Sequence, residues 1–75
     1  MELKEFIAIF ADQFDDTDAS EITATTAFHD LEEWSSLTAM GVIAFVKTEY
    51  GKEITGKEIK GCTTVEDLYN LVALK

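Results

Sequence analysis

Apolar residues recur at helical spacing near the N-terminus, at positions that step by three or four: Leu3, Phe6, Ile7, Phe10 and Phe14. This pattern predicts one face of an amphipathic helix over residues 2–14. Acidic residues then gather between Asp12 and Asp18, where negative charge opposes the dipole at a helix C-terminus. The first helix is therefore predicted to stop near residue 15.

Residues 37–46 are almost all apolar or small, which predicts a second helix with little polar surface. Such a helix either lies at the centre of the core or contacts a partner with the side that its own domain leaves uncovered. Met40 and Phe45 are assigned to the core, with an apolar tunnel between helices as the functional alternative. Gly41 predicts a close approach by another part of the chain, and Gly51 predicts the end of the helix.

The last part of the chain predicts two more helices. Residues 56–60 fit one short helical turn that ends at Gly61, and the segment Thr63-Thr64-Val65-Glu66 has the pattern of a capping box. The helix that follows this box carries its apolar residues on one face: Val65, Leu68, Tyr69 and Val72.

A long connection, residues 16–35, joins the first two helices and has no periodic pattern of its own, which is unusual in a compact domain and suggests a function. Three of its apolar residues are spaced so as to hold it on the core: Ile22, Phe28 and Leu31. Asp30 and Glu33 fit a single capped turn just before Trp34. The predicted fold is all-α, a small helical bundle of three main helices plus one short helix, forming one domain over residues 1–75.

Composition limits what so small a domain can do. With 75 residues and 47% apolar content, the chain can form one core, and such domains typically retain only about 3–5 kcal/mol of net stability. The single cysteine excludes an internal disulfide, and no run of about 18 apolar residues is present. We therefore expect a monomeric, cytoplasmic protein that does not insert into membranes.

Negative charge is confined to the front of the chain. Residues 1–46 contain ten Asp or Glu and one Lys, whereas residues 47–75 contain five acids and five lysines. The net charge of −9 therefore belongs entirely to the first segment. Such a field disfavours nucleic acid and anionic membranes as partners and favours proteins with basic docking patches.

A calcium site in the acidic loop is disfavoured by its spacing. A calcium-binding loop that starts at Asp16 has Glu21 where glycine is needed and Ala27 where the bidentate glutamate is needed. A solvated loop explains these acids better, and we predict no metal site.

A hydrolase triad is also disfavoured. Ser35 or Ser36 together with His29 and Asp30 provides the residue types, but no glycine-rich nucleophile elbow is present and no pattern brings the imidazole to a hydroxyl. No catalytic residue is assigned, and His29 is interpreted as a surface or packing residue.

Cys62 and Trp34 each have a functional and a structural interpretation. Lys57 and Lys60 would lower the pKa of the Cys62 thiol somewhat, but a lone cysteine at an element boundary is more often a small core residue. Trp34 is interpreted as packing over the core rather than as a platform on which a ligand stacks.

Ser35 and Ser36 stand at the start of the apolar second helix. The free N–H groups and the positive dipole end of a helix N-terminus suit a phosphate attached to either hydroxyl. Serine is also a preferred N-cap residue, so the local physics leaves both interpretations open.

The segment Trp34-Ser35-Ser36-Leu37 is one of several that occur in a recognisable order. The others are Phe28, Asp30 and Leu31 upstream, and Glu49-Tyr50-Gly51, Glu53-Ile54 and Thr63-Thr64-Val65 downstream. In this order and spacing, the chain resembles an acyl carrier protein over nearly its full length. Members of that family have an Asp-Ser-Leu motif at the start of the second helix, and a subgroup of small carriers has tryptophan before it.

The resemblance implies that Ser36 carries covalent 4′-phosphopantetheine, derived from coenzyme A, whose thiol holds acyl groups as thioesters. It implies a discrete carrier protein without catalytic activity of its own, serving a fatty acid, polyketide or dedicated lipid or secondary-metabolite pathway. The implied partners are a phosphopantetheinyl transferase and acyl-loading and acyl-processing enzymes, such as a ketosynthase or an acyl ligase.

The chain departs from the family pattern at two places. Ser35 replaces the usual aspartate and is interpreted as the helix cap. The second helix also lacks the acids that carriers of fatty acid synthesis often have on its exposed face, which favours a dedicated pathway. Docking is therefore expected to rest on other acids and on apolar groups: Glu32, Glu33, Ala39, Met40 and Glu49.

Two alternatives stay open on the sequence. One is an aminoacyl or peptidyl carrier of a nonribosomal or cell-wall pathway, which differs in cargo and would be recognised by neighbouring genes. The other is a helical adaptor that docks its apolar helix on a partner. An adaptor would never be modified, and its binding would survive the substitution Ser36→Ala.

Overall fold

A computed structural model describes residues 2–75. They form four α-helices: α1 Leu3–Ala11, α2 Ser36–Tyr50, α3 Gly56–Lys60 and α4 Val65–Ala73. Two short 3-10 turns, Ala19–Glu21 and Phe28–Asp30, lie between α1 and α2. No strand is present among residues 2–75, which contain one isolated bridge between Ala27 and Thr64. The predicted all-α bundle of three main helices and one short helix is confirmed.

α1 has the predicted apolar face, but it ends earlier than predicted. Phe6 and Phe10 are fully buried, and the helix stops at Ala11 rather than near residue 15. Beyond it the backbone tightens, because the N–H groups of Gln13 and Phe14 each donate to a carbonyl three residues back, at 3.1 Å. This tighter turn carries Phe14 into the core, so the predicted end of the helix near residue 15 is wrong, although Phe6, Phe10 and Phe14 are buried as expected.

The connection between α1 and α2 lies on the core through the predicted apolar residues, namely buried Ile22 and Phe28 and half-buried Leu31. Backbone hydrogen bonds also tie it to the start of α4. The Val65 N–H donates to the Thr26 carbonyl at 3.2 Å. The Glu66 N–H donates to the Ala24 carbonyl at 2.9 Å. These contacts order a long segment that has little helical structure.

Glu33 joins the end of this connection to its beginning. Its carboxylate accepts hydrogen bonds from the backbone N–H groups of Asp15, Asp16 and Thr17 at 2.6 to 3.1 Å. It also accepts one from the Thr17 hydroxyl at 2.8 Å. The predicted capped turn of Asp30 and Glu33 is therefore wrong, because donors 16 to 18 residues away occupy the Glu33 oxygens. The Thr17 hydroxyl, ahead of the three N–H groups, holds the pKa of the Glu33 carboxyl below its usual range.

α2 ends where predicted, since Gly51 takes the left-handed conformation with φ 66° that favours glycine. The predicted close approach at Gly41 is confirmed. The Gln13 side chain lies so near that a Cβ at position 41 would be 2.9 Å from its Oε1. Phe45 lies in the core as predicted, but Met40 is 65% exposed. The core assignment of Met40 is wrong because the buried side of α2 faces away from it.

Both C-terminal helices begin with a capping box. At α3 the box is formed by Thr55 and Glu58, and at α4 by Thr64 and Asp67. The second box starts one residue later than the sequence predicts, since Thr63 was expected to be its first residue. The isolated bridge keeps Thr64 extended with φ −110°, so the helix begins only after it.

Aromatic side chains fill the centre of the core. The ring centroid of Phe6 lies 5.5 Å from that of Phe45 and 5.6 Å from that of Tyr69. The predicted apolar face of α4 packs on the same core. Its residues Val65, Leu68 and Val72 are buried, and Tyr69 is half-buried. Within residues 2–75, no helix combines the length and the apolar character that crossing a membrane requires.

Candidate functional site

Ser35 is the N-cap of α2. Its backbone is extended, with φ −153° and ψ 176°, and its Oγ accepts a hydrogen bond from the Thr38 N–H at 3.4 Å. The Thr38 hydroxyl in turn donates to the Glu33 carbonyl at 3.0 Å. The prediction that Ser35 caps the helix is confirmed, and these bonds fix the point at which α2 begins.

Ser36 is the first residue of α2, and unlike that of Ser35 its side chain does not cap the helix. It is exposed, and its hydroxyl forms no hydrogen bond with any of residues 2–75. The backbone N–H groups of Ser36 and Leu37 have no acceptor among those residues either. Free N–H groups and the helix dipole favour an anion at this end of the helix, so the residues present suit a phosphate on the Ser36 hydroxyl.

Trp34 fixes the approach of the chain to this hydroxyl. Its indole stacks on the Phe10 ring with centroids 6.2 Å apart and an interplanar angle of 14°, and it meets the edge of Phe28 at 4.8 Å. The prediction that Trp34 packs over the core is confirmed. Because the indole is held on α1 and on the connection, the backbone before Ser35 has little freedom.

A groove of about 410 Å³ lies beside the serines, between α2 and α3. Its apolar lining is formed by five side chains: Trp34, Ala39, Met40, Ile43 and Ile59. The remainder of its lining is polar or backbone: His29, Ser35, Ser36, Gly56 and Lys60. An exposed serine hydroxyl therefore opens onto an apolar groove with a polar edge.

Comparison with known families identifies the class of domain to which this site belongs. The chain matches the family model described as the phosphopantetheine attachment site over residues 4–72. It belongs to this family. Carrier domains of the family hold covalently attached 4′-phosphopantetheine and are generally non-catalytic, so the resemblance to an acyl carrier protein and the predicted cofactor are confirmed. Searches among curated proteins and among solved structures gave no significant match.

Residues 2–75 of this phosphopantetheine-attachment domain assemble no Ser-His-Asp triad from the candidate residues. The His29 Nε2 lies 3.1 Å from the Ile59 carbonyl, and the imidazole hydrogen bonds to neither serine. Its ring instead packs against Phe28, with centroids 4.3 Å apart, as the packing interpretation predicted. Among residues 2–75, no group of three or more His, Cys, Asp or Glu side chains is arranged to hold a metal ion.

The acids predicted to dock partners lie in three different settings. Glu32 is exposed and close in sequence to the attachment motif. The carboxylate of Glu33 already accepts hydrogen bonds from backbone N–H groups of the connection between α1 and α2. Glu49 is exposed near the far end of α2, about 20 Å along the helix from Ser36 at 1.5 Å per residue. Of these three acids, Glu32 is the one that is both free of hydrogen bonds within residues 2–75 and close to Ser36 in sequence.

The apolar groups predicted to dock partners also divide. Met40 is 65% exposed, one turn along α2 from Ser36, whereas Ala39 is half-buried and lines the groove. Leu37, predicted as part of the motif, is 79% exposed. Leu37 and Met40 are three residues apart on one helix and so present neighbouring apolar side chains to solvent.

Cys62 is a buried core residue, as its structural interpretation predicted. Its Sγ lies 3.4 Å from the Glu58 carbonyl oxygen. Burial raises the pKa of the thiol, with the negative charges of Asp67 and Glu58 adding to the effect. The expectation that nearby lysines lower this pKa is wrong, because desolvation and acids outweigh them.

Sequence reasoning missed the contribution of α3 to the site. Gly56, Ile59 and Lys60, all in α3, line the groove beside Ser36, whereas the sequence related Lys60 only to Cys62. No local pattern relates Lys60 to Ser36, since they are 24 positions apart. Their proximity follows from the packing of α3 on α2.

Proposed function

We propose that this phosphopantetheine-attachment domain is an acyl carrier and that Ser36 is its attachment residue. The observation that carries the proposal is the contrast between the two serines. The Ser35 Oγ is engaged by the Thr38 N–H, whereas the Ser36 hydroxyl is exposed and hydrogen bonded to none of residues 2–75. An enzyme that transfers a group to a serine needs the second kind of hydroxyl.

When bound, the phosphopantetheine arm supplies a terminal thiol on which an acyl group is carried as a thioester. The chain's own residues hold the attachment point. Ser35 and Thr38 fix the first turn of α2, and Trp34 restrains the backbone before it. The free N–H groups of Ser36 and Leu37 favour the negative charge of a phosphate there. Tethering raises the effective concentration of the cargo for partner enzymes.

The groove supports acyl rather than aminoacyl cargo. Its lining is largely apolar, and the one residue with a permanent charge in it is Lys60. A hydrocarbon chain gains from contact with the apolar lining, whereas the ammonium group of an aminoacyl cargo finds no carboxylate in that lining to pair with. We therefore rank an acyl carrier of a fatty acid, polyketide or dedicated lipid or secondary-metabolite pathway above an aminoacyl carrier.

The proposed partners are a phosphopantetheinyl transferase and acyl-loading or acyl-processing enzymes such as a ketosynthase or an acyl ligase. The proposed docking residues are Glu32, four residues before Ser36, and the exposed Leu37 and Met40 on the same helix as Ser36. α2 carries only Lys47 and Glu49 as charged residues, so apolar contact contributes more to docking on this helix than charge does. The proposed site of action is the cytoplasm, and the proposed carrier has no catalytic activity of its own.

The proposal is tested by enzymatic loading followed by intact mass spectrometry. The protein is incubated with coenzyme A, Mg²⁺ and each of several broad-specificity phosphopantetheinyl transferases. We expect wild type to gain one phosphopantetheinyl mass and Ser36→Ala to gain none.

Ser35→Ala is the matched control, because it removes the neighbouring hydroxyl and leaves the attachment residue in place. It should still be loaded, while its stability falls by about 1 kcal/mol through loss of the N-cap. Unmodified wild type with every transferase, or loading that depends on Ser35 rather than Ser36, would show that the proposed site is wrong.

A further inference from the structure

Lys60 is a cation without an internal partner in the groove beside Ser36. It is the last residue of α3, is exposed, and lines the groove that Ser36 also lines. The other residues of the lining are apolar, hydroxyl-bearing, glycine or the imidazole of His29. An anion in this groove therefore meets one permanently charged side chain, and that charge is positive.

The acids of this part of the chain do not neutralise Lys60. Glu58 accepts from the Thr55 N–H at 3.0 Å and pairs with the Lys75 ammonium at 2.8 Å. Glu53 forms an ion pair at 2.7 Å with Lys47, which lies near the C-terminal end of α2. Within residues 2–75 Lys60 forms no ion pair. Its charge is therefore available to a group that comes from outside the chain.

We propose that Lys60 binds the phosphodiester of the group attached to Ser36 and so restrains the start of that group. This inference rests on the proposed attachment at Ser36. The N-terminus of α2 supplies backbone N–H groups to the phosphate from one side, and Lys60 supplies an ammonium from α3. Lys60 acts as a positioning residue, because the contact restrains the start of the arm without touching the acyl group.

The attraction should be moderate and sensitive to salt, because Lys60 is exposed. Raising the ionic strength to ~1 M shortens the Debye length to about 3 Å, which weakens a contact of this kind. A purely steric fit of the arm in the groove would not respond to salt in this way.

The test uses ³¹P NMR of the protein loaded from coenzyme A by a phosphopantetheinyl transferase. We expect the phosphodiester resonance of Lys60→Gln to shift and to narrow relative to wild type, because the phosphate loses its ammonium partner and moves more freely. High salt should move the wild-type resonance in the same direction. Lys60→Arg keeps the positive charge and should stay close to wild type.

Lys57→Gln is the matched control. It removes the same charge from the same helix, but Lys57 does not line the groove, so its resonance should equal that of wild type. If Lys60→Gln leaves the resonance unchanged, or if both substitutions change it equally, the contact with Lys60 is excluded while attachment at Ser36 stands. If no group is added to wild type at all, the proposed function fails and this inference fails with it.

Discussion

The two segments that join the three main helices are held in place by different means. The front connection, residues 12–35, contains eight acids and no lysine, whereas the rear segment, residues 51–64, contains three lysines and two acids. The front connection depends on the buried Phe28 and on Glu33, whose partners are 16 to 18 residues away. The rear segment contains α3 and uses a local capping box.

The two segments also differ in charge, and Ser36 lies between them in the chain. The front connection has eight acids in the segment that leads to Ser36, and such a charge favours partners that carry basic patches. The rear segment places Lys60 in the groove that Ser36 also lines, where Lys60 is proposed to bind the phosphate of the attached group. Long-range contacts therefore hold the front connection in its conformation, whereas short-range hydrogen bonds hold the rear segment.

The largest effect is expected where the front connection meets the core. Phe28 is fully buried, and replacing a buried phenylalanine by alanine costs about 3–5 kcal/mol. That equals the whole net stability typical of a domain this small, about 3–5 kcal/mol, so Phe28→Ala should be largely unfolded by circular dichroism. His29→Ala, at the exposed neighbouring position, should stay folded. Equal stability of the two variants would show that Phe28 does not hold the connection on the core.

A smaller effect is expected at the end of the rear segment. Thr64→Ala removes the N-cap of α4 and should lower the free energy of unfolding by about 1 kcal/mol, measured by urea titration. Thr63→Ala is the control, because the Thr63 hydroxyl makes no hydrogen bond among residues 2–75. A larger loss of unfolding free energy for Thr63→Ala than for Thr64→Ala would show that Thr63, as the sequence pattern predicts, is the first residue of the capping box.

The Glu33 contacts should make the stability of the front connection depend on pH. The donors lower the pKa of the folded Glu33 carboxyl below its ordinary value of 4.5, with the Thr17 hydroxyl first among them. The stabilisation is therefore complete above pH 4.5 and is lost as the pH falls through the lowered pKa. Glu33→Gln should flatten this part of the curve of unfolding free energy against pH.

Glu32→Gln is the control for that experiment, since Glu32 is the exposed neighbour and its carboxylate accepts no hydrogen bond from residues 2–75. Its curve should keep the wild-type shape. Identical curves for wild type and Glu33→Gln would mean that the carboxylate contacts do not stabilise the fold.

The smallest effect concerns the unbalanced charge. Repulsion among the front acids should be screened by salt, so the melting temperature should rise by a few degrees with NaCl concentration. Glu21→Gln should reduce the slope of this rise, whereas Glu66→Gln, in the half of the chain that balances to zero, should change it less. A melting temperature independent of salt would indicate that the front acids are already compensated.

Local patterns in the sequence predicted most of the secondary structure. The glycine stop at Gly51 and the short helix before Gly61 were predicted correctly, because each involves groups within about four residues of one another. The choice of Ser35 as the cap was also correct, but it came from the motif order, since local patterns left either serine as the cap. The register of the second capping box was wrong by one residue, because the bridge from Ala27 competes with the local pattern at Thr64. The same patterns and the motif order sufficed to predict the family.

The amino-acid sequence by itself determined which segments are helical, that a serine pair begins the apolar helix, and that one serine caps it. Only the tertiary structure decided which long-range partners these residues meet. It joined Glu33 to residues 15–17, exposed Met40 to solvent, and brought Lys60 beside Ser36. The physical reason is distance along the chain: periodicity and capping act within a helical turn, whereas contacts across 16 or more residues depend on how completed helices pack.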